Sequence, residues 1–192
     1  MVSSPYTRTS FTVPNLITLV RILLTPLFII FLIQGRYQKA LIVFVLAGLS
    51  DLADGLIARL WQQKSPLGAY LDPVADKLLM AASFVTLSIA RLIPSWLTVV
   101  VLSRDVVLVI GVLVLRLTDH SLVIRPSLWG KCSTTLQILT VLMVLVGKLW
   151  PLPPVFLKGC FYLTGALTAI SGVHYIYRGL AILGQAPGNR HG

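Results

Sequence analysis

Apolar runs of the length of a membrane span recur along this chain and exclude most soluble folds. The stretch from Leu16 to Ile33 contains one charged residue, Arg21, and the stretch from Leu92 to Leu115 contains only the charged pair Arg104–Asp105. A transmembrane helix needs about 20 predominantly apolar residues. Charged residues make up 11% of the chain, whereas a soluble domain carries about 25%. The sequence therefore predicts an all-α integral membrane protein.

The length of the chain leaves room for a bundle of about six transmembrane helices in one domain. The predicted spans cover residues 14–34, 40–61, 67–91, 94–117, 129–149 and 155–183. We expect an interfacial segment at 1–12, a transmembrane domain at 13–184 and a flexible tail at 185–192. No cleavable signal peptide is expected, because the first apolar run is as long as a full span and no small-residue cleavage site follows it.

Acidic residues are few, and most of them are clustered. They are Asp51, Asp54, Asp72, Asp76, Asp105 and Asp119. The first two are three positions apart and the next two are four apart, so each pair lies on one face of a helix. A short polar loop at 62–66 makes the two helices antiparallel neighbours. The two pairs of carboxylates are therefore expected to face each other.

Four carboxylates so close together at membrane depth need a physical reason. Each charge there costs about 2.5–3.5 kcal/mol, and such residues are usually functional. Either the carboxylates are protonated or they bind cations. Hard divalent cations take oxygen ligands, and Mg²⁺ binds through carboxylates together with substrate phosphates. Two divalent ions would neutralise all four charges, and paired metals stabilise the attacking and leaving oxygens in phosphoryl chemistry.

Basic residues greatly outnumber acidic ones, with 16 Lys and Arg against 6 Asp and a formal net charge of +10. The positive charges are scattered singly along the chain, which favours a lipid bilayer with anionic headgroups, or phosphate substrates, over nucleic acid as partners. With both termini in the cytoplasm, the inner loops hold more basic residues than the outer ones. This bias predicts a multi-pass protein of the inner, cytoplasmic membrane whose aspartate cluster faces the cytoplasm.

The residues around the aspartates form one continuous pattern, D-x2-D-G-x2-A-R-x8-G-x3-D-x3-D. Its fixed positions are Asp51, Asp54, Gly55, Ala58, Arg59, Gly68, Asp72 and Asp76. This pattern resembles the signature of the CDP-alcohol phosphotransferase family, also called the CDP-alcohol phosphatidyltransferase family. The segment from Val13 to Leu16, the predicted spans and the length are similar to the phosphatidylglycerophosphate synthases and mitochondrial-type cardiolipin synthases of that family.

The resemblance implies a role for each position of the pattern. The metal ligands would be Asp51, Asp54, Asp72 and Asp76, holding two divalent ions, Mg²⁺ or Mn²⁺. The residues binding the CDP-lipid, CDP-diacylglycerol, would be Asp51, Asp54, Gly55, Ala58, Arg59 and Gly68. Asp76 would also act as the catalytic base toward the hydroxyl of an alcohol acceptor. The resemblance further implies a homodimer.

Two arginines lie inside predicted spans. Arg104, next to Asp105, has two interpretations: a structural ion pair that joins helices, or a binding site for the phosphate of the acceptor. The resemblance favours the acceptor site, because family members carry an Arg–acid pair here, and Arg-Asp is more typical of the cardiolipin synthases. Arg21 in the first span either reaches the same phosphate-binding pocket or extends its side chain toward the membrane surface, as long basic side chains commonly do, and the second is the favoured expectation.

Two further basic residues are candidates for acceptor binding. Lys131 is either an interfacial lysine whose charge reaches the headgroups or part of a sequence similar to the family's Gly-Lys-x-Lys-Thr-Thr-x-Gln pattern. Ser133 stands where that pattern has its second lysine, so one expected charge is missing. Arg125 lies in the preceding loop and is a candidate to substitute for it.

Three functions are compatible with these features. The first is synthesis of phosphatidylglycerophosphate from CDP-diacylglycerol and glycerol 3-phosphate, with release of CMP. The second is the same chemistry with phosphatidylglycerol as the acceptor, which gives cardiolipin. The third is a membrane cation transporter with an intramembrane aspartate site, which explains the carboxylates but not the glycines, alanine and arginine at their spacing.

Overall fold

Helices account for every regular element in the part of the chain that the structure describes. The computed structural model describes residues 13–61, 66–117 and 128–184, with side chains for 19–50, 75–111 and 128–179. The helices are α1 (Val13–Ile33), α2 (Tyr37–Trp61), α3 (Pro66–Ile89), α4 (Ser95–Leu117), α5 (Leu128–Leu149) and α6 (Pro154–Gly184). Each begins and ends within three residues of a predicted span, so the predicted all-α fold is confirmed.

Among the residues whose side chains the structure describes, two helices are long and apolar enough to cross a membrane. They are α5, over Leu128–Leu149, and the part of α6 over Pro154–Gly179. Shorter apolar stretches cover Leu19–Ile33 in α1 and Tyr37–Ser50 in α2. Large apolar side chains are exposed on the outer faces of the helices, such as Leu23 at 64%. Apolar exposure on this scale is expected of helices that lie in lipid.

The first compact unit, residues 1–90, contains α1, α2 and α3, and α1 packs against both of the others. The chain reverses between α1 and α2 at Gly35, whose φ of 68° lies in the left-handed region that favours glycine. Beyond this turn the rings of Phe28 and Phe44 lie 5.5 Å apart. The amine of Lys39 lies 5.8 Å from the ring centre of Phe31. These two contacts fix the antiparallel register of α1 and α2.

The second compact unit, residues 91–192, contains α4, α5 and α6, and α6 packs against both α4 and α5. Buried hydroxyl groups join α5 to α6. The hydroxyls of Thr140 and Thr164 are 2.7 Å apart, and those of Ser133 and Thr168 are 3.0 Å apart. Hydrogen bonds of this kind hold helices together in a membrane, where apolar contact alone does not favour helix association over contact with lipid.

Gly165 permits close contact between α4 and α6. A Cβ atom at this position would lie 2.5 Å from Cζ3 of Trp96, so a larger residue would displace the indole. Trp96 in turn stacks on Tyr162, with ring centres 5.6 Å apart. Both rings are exposed at one end of the unit, where aromatic side chains suit the boundary between lipid and water.

Candidate active site

The four clustered aspartates lie at matching positions along two helices. Asp51 is ten residues before the end of α2 at Trp61, and Asp76 is ten residues after the start of α3 at Pro66. Asp54 is seven residues before that end, and Asp72 is six after that start. At a rise of 1.5 Å per residue, these distances are about 15 Å for the outer pair and about 10 Å for the inner pair. These counts place each pair on its own helix, and the expectation that the two pairs face each other stays a prediction.

The chemistry of this donor set fits a hard divalent cation, because every acidic side chain in it supplies carboxylate oxygens. Asp76 is half-buried, next to the fully buried Ala75, and takes part in a polar or electrostatic interaction. The other predicted site side chains of this motif lie outside the described ones; they are Asp51, Asp54, Gly55, Ala58, Arg59, Gly68 and Asp72. Among the side chains that are described, no three acidic, histidine or cysteine groups form a metal site. Metal ligation and nucleotide binding stay predictions.

Arg21 is buried inside the protein, with 1% of its surface exposed. The expectation that it extends to the membrane surface is therefore wrong. It shares one face of α1 with Thr25, Phe28 and Leu32, which are also buried and follow at helical spacing. Since Phe28 contacts Phe44 of α2, this face is the one that α1 turns toward its neighbours.

Arg104 is the centre of a buried polar cluster in the second unit, where it is 5% exposed. Its Nη1 donates a hydrogen bond of 2.8 Å to Oδ1 of Asp105. Its Nη2 lies 3.4 Å from both the carbonyl oxygen of Gly130 and the hydroxyl of Ser171. Its Nε is buried without a hydrogen-bond partner among the described residues. Arg104 and Asp105 thus form an ion pair within α4, and the groups that Arg104 reaches on other helices are the uncharged ones of Gly130 and Ser171.

The cluster around Arg104 includes residues that sequence reasoning did not assign to a site. Tyr175 of α6 lies with its ring centre 6.0 Å from the guanidinium carbon of Arg104. A Cβ atom at Gly130 would lie 2.7 Å from the Tyr175 hydroxyl and 3.4 Å from Nη2 of Arg104. Glycine thus lets both side chains approach the backbone of α5. The spacing of Ser171 and Tyr175, four apart on α6, is the sequence signal that points to a shared face.

The remaining acceptor candidates have different surroundings. Lys131 is exposed on α5, as a lysine near a membrane surface is expected to be. Ser133 is fully buried, and its hydroxyl is bonded to Thr168 and lies 3.3 Å from Nε2 of Gln137. Arg125 lies outside the described residues. The structure thus supplies an interior cation at Arg104 and a neutral group at the position of the missing lysine.

Comparison with known proteins places these features in a family. Residues 11–176 match the sequence model of CDP-alcohol phosphatidyltransferases. The chain is 34% identical over 182 residues to a probable cardiolipin synthase (CMP-forming) of Drosophila melanogaster, covering 86% of this chain and 56% of that protein. It is 35% identical over 185 residues to the cardiolipin synthase (CMP-forming) of Homo sapiens, covering 88% of this chain and 62% of that protein.

A bacterial relative is matched over more of its own length. The chain is 33% identical over 180 residues to a probable phosphatidylglycerophosphate synthase of Mycobacterium tuberculosis, covering 88% of this chain and 82% of that protein. The fly and human relatives are longer, and the chain spans about three fifths of each. The match over residues 11–176 includes every fixed position of the aspartate motif. The chain therefore belongs to the CDP-alcohol phosphatidyltransferase family.

Proposed function

We propose that this protein transfers a phosphatidyl group from CDP-diacylglycerol to a hydroxyl of an acceptor, either glycerol 3-phosphate or phosphatidylglycerol, and releases CMP. One observation carries the proposal. The complete aspartate motif of the family lies on two consecutive helices, with its acidic residues at matching distances from the connection between them. The family is generally dependent on a divalent metal, and this donor set fits one.

The reaction is a substitution at phosphorus. The acceptor hydroxyl attacks the β-phosphorus, which carries the diacylglycerol, and gives its proton to Asp76. The bond from this phosphorus to the CMP oxygen breaks, and the electron pair leaves with CMP. Arg59 orients a phosphate of the nucleotide by bidentate hydrogen bonding. Two divalent ions held by Asp51, Asp54, Asp72 and Asp76 would stabilise charge on the attacking and leaving oxygens.

Glycerol 3-phosphate is the first candidate acceptor. The Mycobacterium tuberculosis relative, named a probable phosphatidylglycerophosphate synthase, is matched over 82% of its length. A Haemophilus influenzae relative, named a CDP-diacylglycerol–glycerol-3-phosphate 3-phosphatidyltransferase, is 34% identical over 147 residues. With this acceptor, the product is phosphatidylglycerophosphate.

Phosphatidylglycerol is the second candidate, and the charge around Arg104 favours it. Asp105 lies 2.8 Å from Arg104 and offsets its charge, and the neutral Ser133 is buried where the family pattern has a lysine. A phosphate monoester carries a charge of about −1.5 to −2 at pH 7, whereas the phosphodiester of phosphatidylglycerol carries one negative charge. A site with less positive charge suits the phosphodiester. The relatives named cardiolipin synthase agree with this candidate.

The deciding experiment measures CMP release and lipid product from labelled CDP-diacylglycerol with purified protein and Mg²⁺. Turnover only with glycerol 3-phosphate selects the first acceptor, and turnover only with phosphatidylglycerol selects the second. No CMP release with either acceptor would contradict the proposed function. Uptake of divalent cations into sealed vesicles that contain the protein would, in that case, support the transporter.

Replacing Arg104 with glutamine is expected to raise the KM for the acceptor by about 10- to 100-fold, because a hydrogen bond to a charged group contributes about 1.5–3 kcal/mol. The KM for CDP-diacylglycerol is expected to change little. Initial rates with each substrate varied in turn provide the measurement. Lys148→Gln is the control, because Lys148 lies at the end of α5 that is far from Gly130, the residue of α5 that Arg104 contacts. An equal rise in both KM values would contradict a role for Arg104 in acceptor binding.

The same proposal includes the membrane arrangement. All six helices cross the inner, cytoplasmic membrane, and the aspartates face the cytoplasm. Support comes from the apolar character of α1, α2, α5 and α6 and from the basic residues of the inner loops. A homodimer, as the family resemblance implies, is part of the proposal, and light scattering of the purified protein tests it.

A further inference from the structure

We propose that Arg21 is a positioning residue that supplies a fixed positive counter-charge to the four-aspartate site. This inference rests on the proposed function, because it assumes that the aspartates form the metal and CDP-lipid site. It adds a third helix, α1, to a site that the family motif assigns to α2 and α3.

A guanidinium group that is only 1% exposed requires compensation. Burying an arginine is costly unless it is paired with an opposite charge. Arg21 takes part in a polar or electrostatic interaction. Within its own unit, residues 1–90, the only acidic side chains in the sequence are the four clustered aspartates. An acidic partner for Arg21 within this unit must therefore be one of these four aspartates.

The orientation of α1 directs Arg21 toward those helices. Arg21 and Phe28 are seven residues apart, which is about two helical turns, so they share a face. Phe28 is fully buried and contacts Phe44 of α2. Leu32, four residues further along the same face, is 2% exposed. Arg21 thus belongs to the face through which α1 packs.

The register between α1 and α2 brings Arg21 level with Asp51. In an antiparallel pair, the numbers of facing residues have a constant sum. That sum is 72 for the contact of Phe28 with Phe44 and 70 for that of Phe31 with Lys39. The residues of α2 level with Arg21 are therefore 49–51.

The third helix brings an aspartate to the same level. Asp51 and Asp76 are each ten residues from the ends of α2 and α3 that face their connection, and α1 packs against both helices. Equal distances from that connection are expected to bring Asp51 and Asp76 to the level of Arg21. Four ionised carboxylates repel one another strongly when no metal is bound, and a cation at this level reduces that repulsion. Bound divalent ions supply the same compensation, so the contribution of Arg21 to stability should depend on metal.

Thermal unfolding of the purified full chain, in EDTA and in Mn²⁺, tests this dependence. In EDTA, Arg21→Gln is expected to unfold about 6–20 °C below wild type, as expected for loss of one partner of a buried charge pair. In millimolar Mn²⁺ most of that deficit should disappear. Adding Asp51→Asn to Arg21→Gln should restore stability in EDTA, since it removes one of the repelling charges, and Arg21→Lys should behave nearly as wild type.

Arg104→Gln is the matched control, because Arg104 is also a buried arginine but belongs to the second unit. Its deficit should be the same with and without Mn²⁺. A deficit of Arg21→Gln that Mn²⁺ leaves unchanged would overturn the inference, as would a variant that cannot be purified even in Mn²⁺. Aggregation of that variant only on chelation would support it. If Mn²⁺ fails to stabilise the wild type, the proposed metal site itself is wrong. This result differs from one in which Mn²⁺ stabilises the wild type but leaves the deficit of Arg21→Gln unchanged, which contradicts only the role of Arg21.

Discussion

Replacing Asp76 with asparagine is expected to lower the rate of CMP release by about 10²–10⁴-fold, the usual contribution of a general base. Asparagine has nearly the same volume but cannot accept the hydroxyl proton, and it is a poorer ligand for a divalent ion. Asp76 lies in α3 directly after Ala75, which is fully buried, so this part of the helix is held in place by packing. The loss is therefore expected in kcat, in a protein that remains folded.

Lys77→Gln is the control for this substitution. Lys77 follows Asp76 in the same helical turn, is half-buried and points about 100° away around the helix axis. Wild-type turnover by Lys77→Gln, together with the loss in Asp76→Asn, would assign the effect to the carboxylate. A folded Asp76→Asn protein that releases CMP at the wild-type rate would exclude Asp76 as the base.

Removing divalent metal is expected to reduce CMP release by at least about 10³-fold, because metal ions supply several kcal/mol of stabilisation to the transition state. Activity should return with Mg²⁺ or Mn²⁺. Ca²⁺ should restore it poorly, since Ca²⁺ takes more ligands at longer distances than these ions do. The measurement is CMP release after dialysis against EDTA and titration with each metal.

Conservative replacements in the donor set distinguish a metal effect on the site from a general effect of chelation. Asp54→Asn and Asp72→Asn should each raise the Mg²⁺ concentration needed for half-maximal activity, because each removes one charged ligand. Cys132→Ser, at an exposed position of α5, should leave that concentration unchanged. Full activity of the wild type in excess chelator would contradict the proposed metal chemistry.

The helices could be predicted closely from the sequence because the signals for them are local. Apolar runs of span length set their extent, and prolines mark where two of them begin, at Pro66 and Pro154. Proline suits the first position of a helix, since its missing N–H has no helical partner there. That Asp51 and Asp54 fall in one helix and Asp72 and Asp76 in the next was likewise predictable, and the shared face of each pair stays a prediction.

Contacts between helices were less predictable, because they depend on residues far apart in the chain. The cluster of Arg104 with Gly130 and Tyr175 joins three helices, and none of its spacings is local. Arg21 shows a related error. The favoured expectation that it reaches the surface rests on the usual behaviour of a long basic side chain in a lipid-spanning helix, whereas burial depends on which neighbours cover that side of α1.

The paired hydroxyls between α5 and α6 restrict how these helices can move against each other. Sliding α6 along α5 by one turn, about 5.4 Å, would separate Thr140 from Thr164 and Ser133 from Thr168 at the same time. Ser171 is seven residues beyond Thr164, about 10 Å along the same helix, and would be carried away from Arg104 by that slip. The electrostatic surroundings of Arg104 thus depend on small uncharged side chains about one and two helical turns distant.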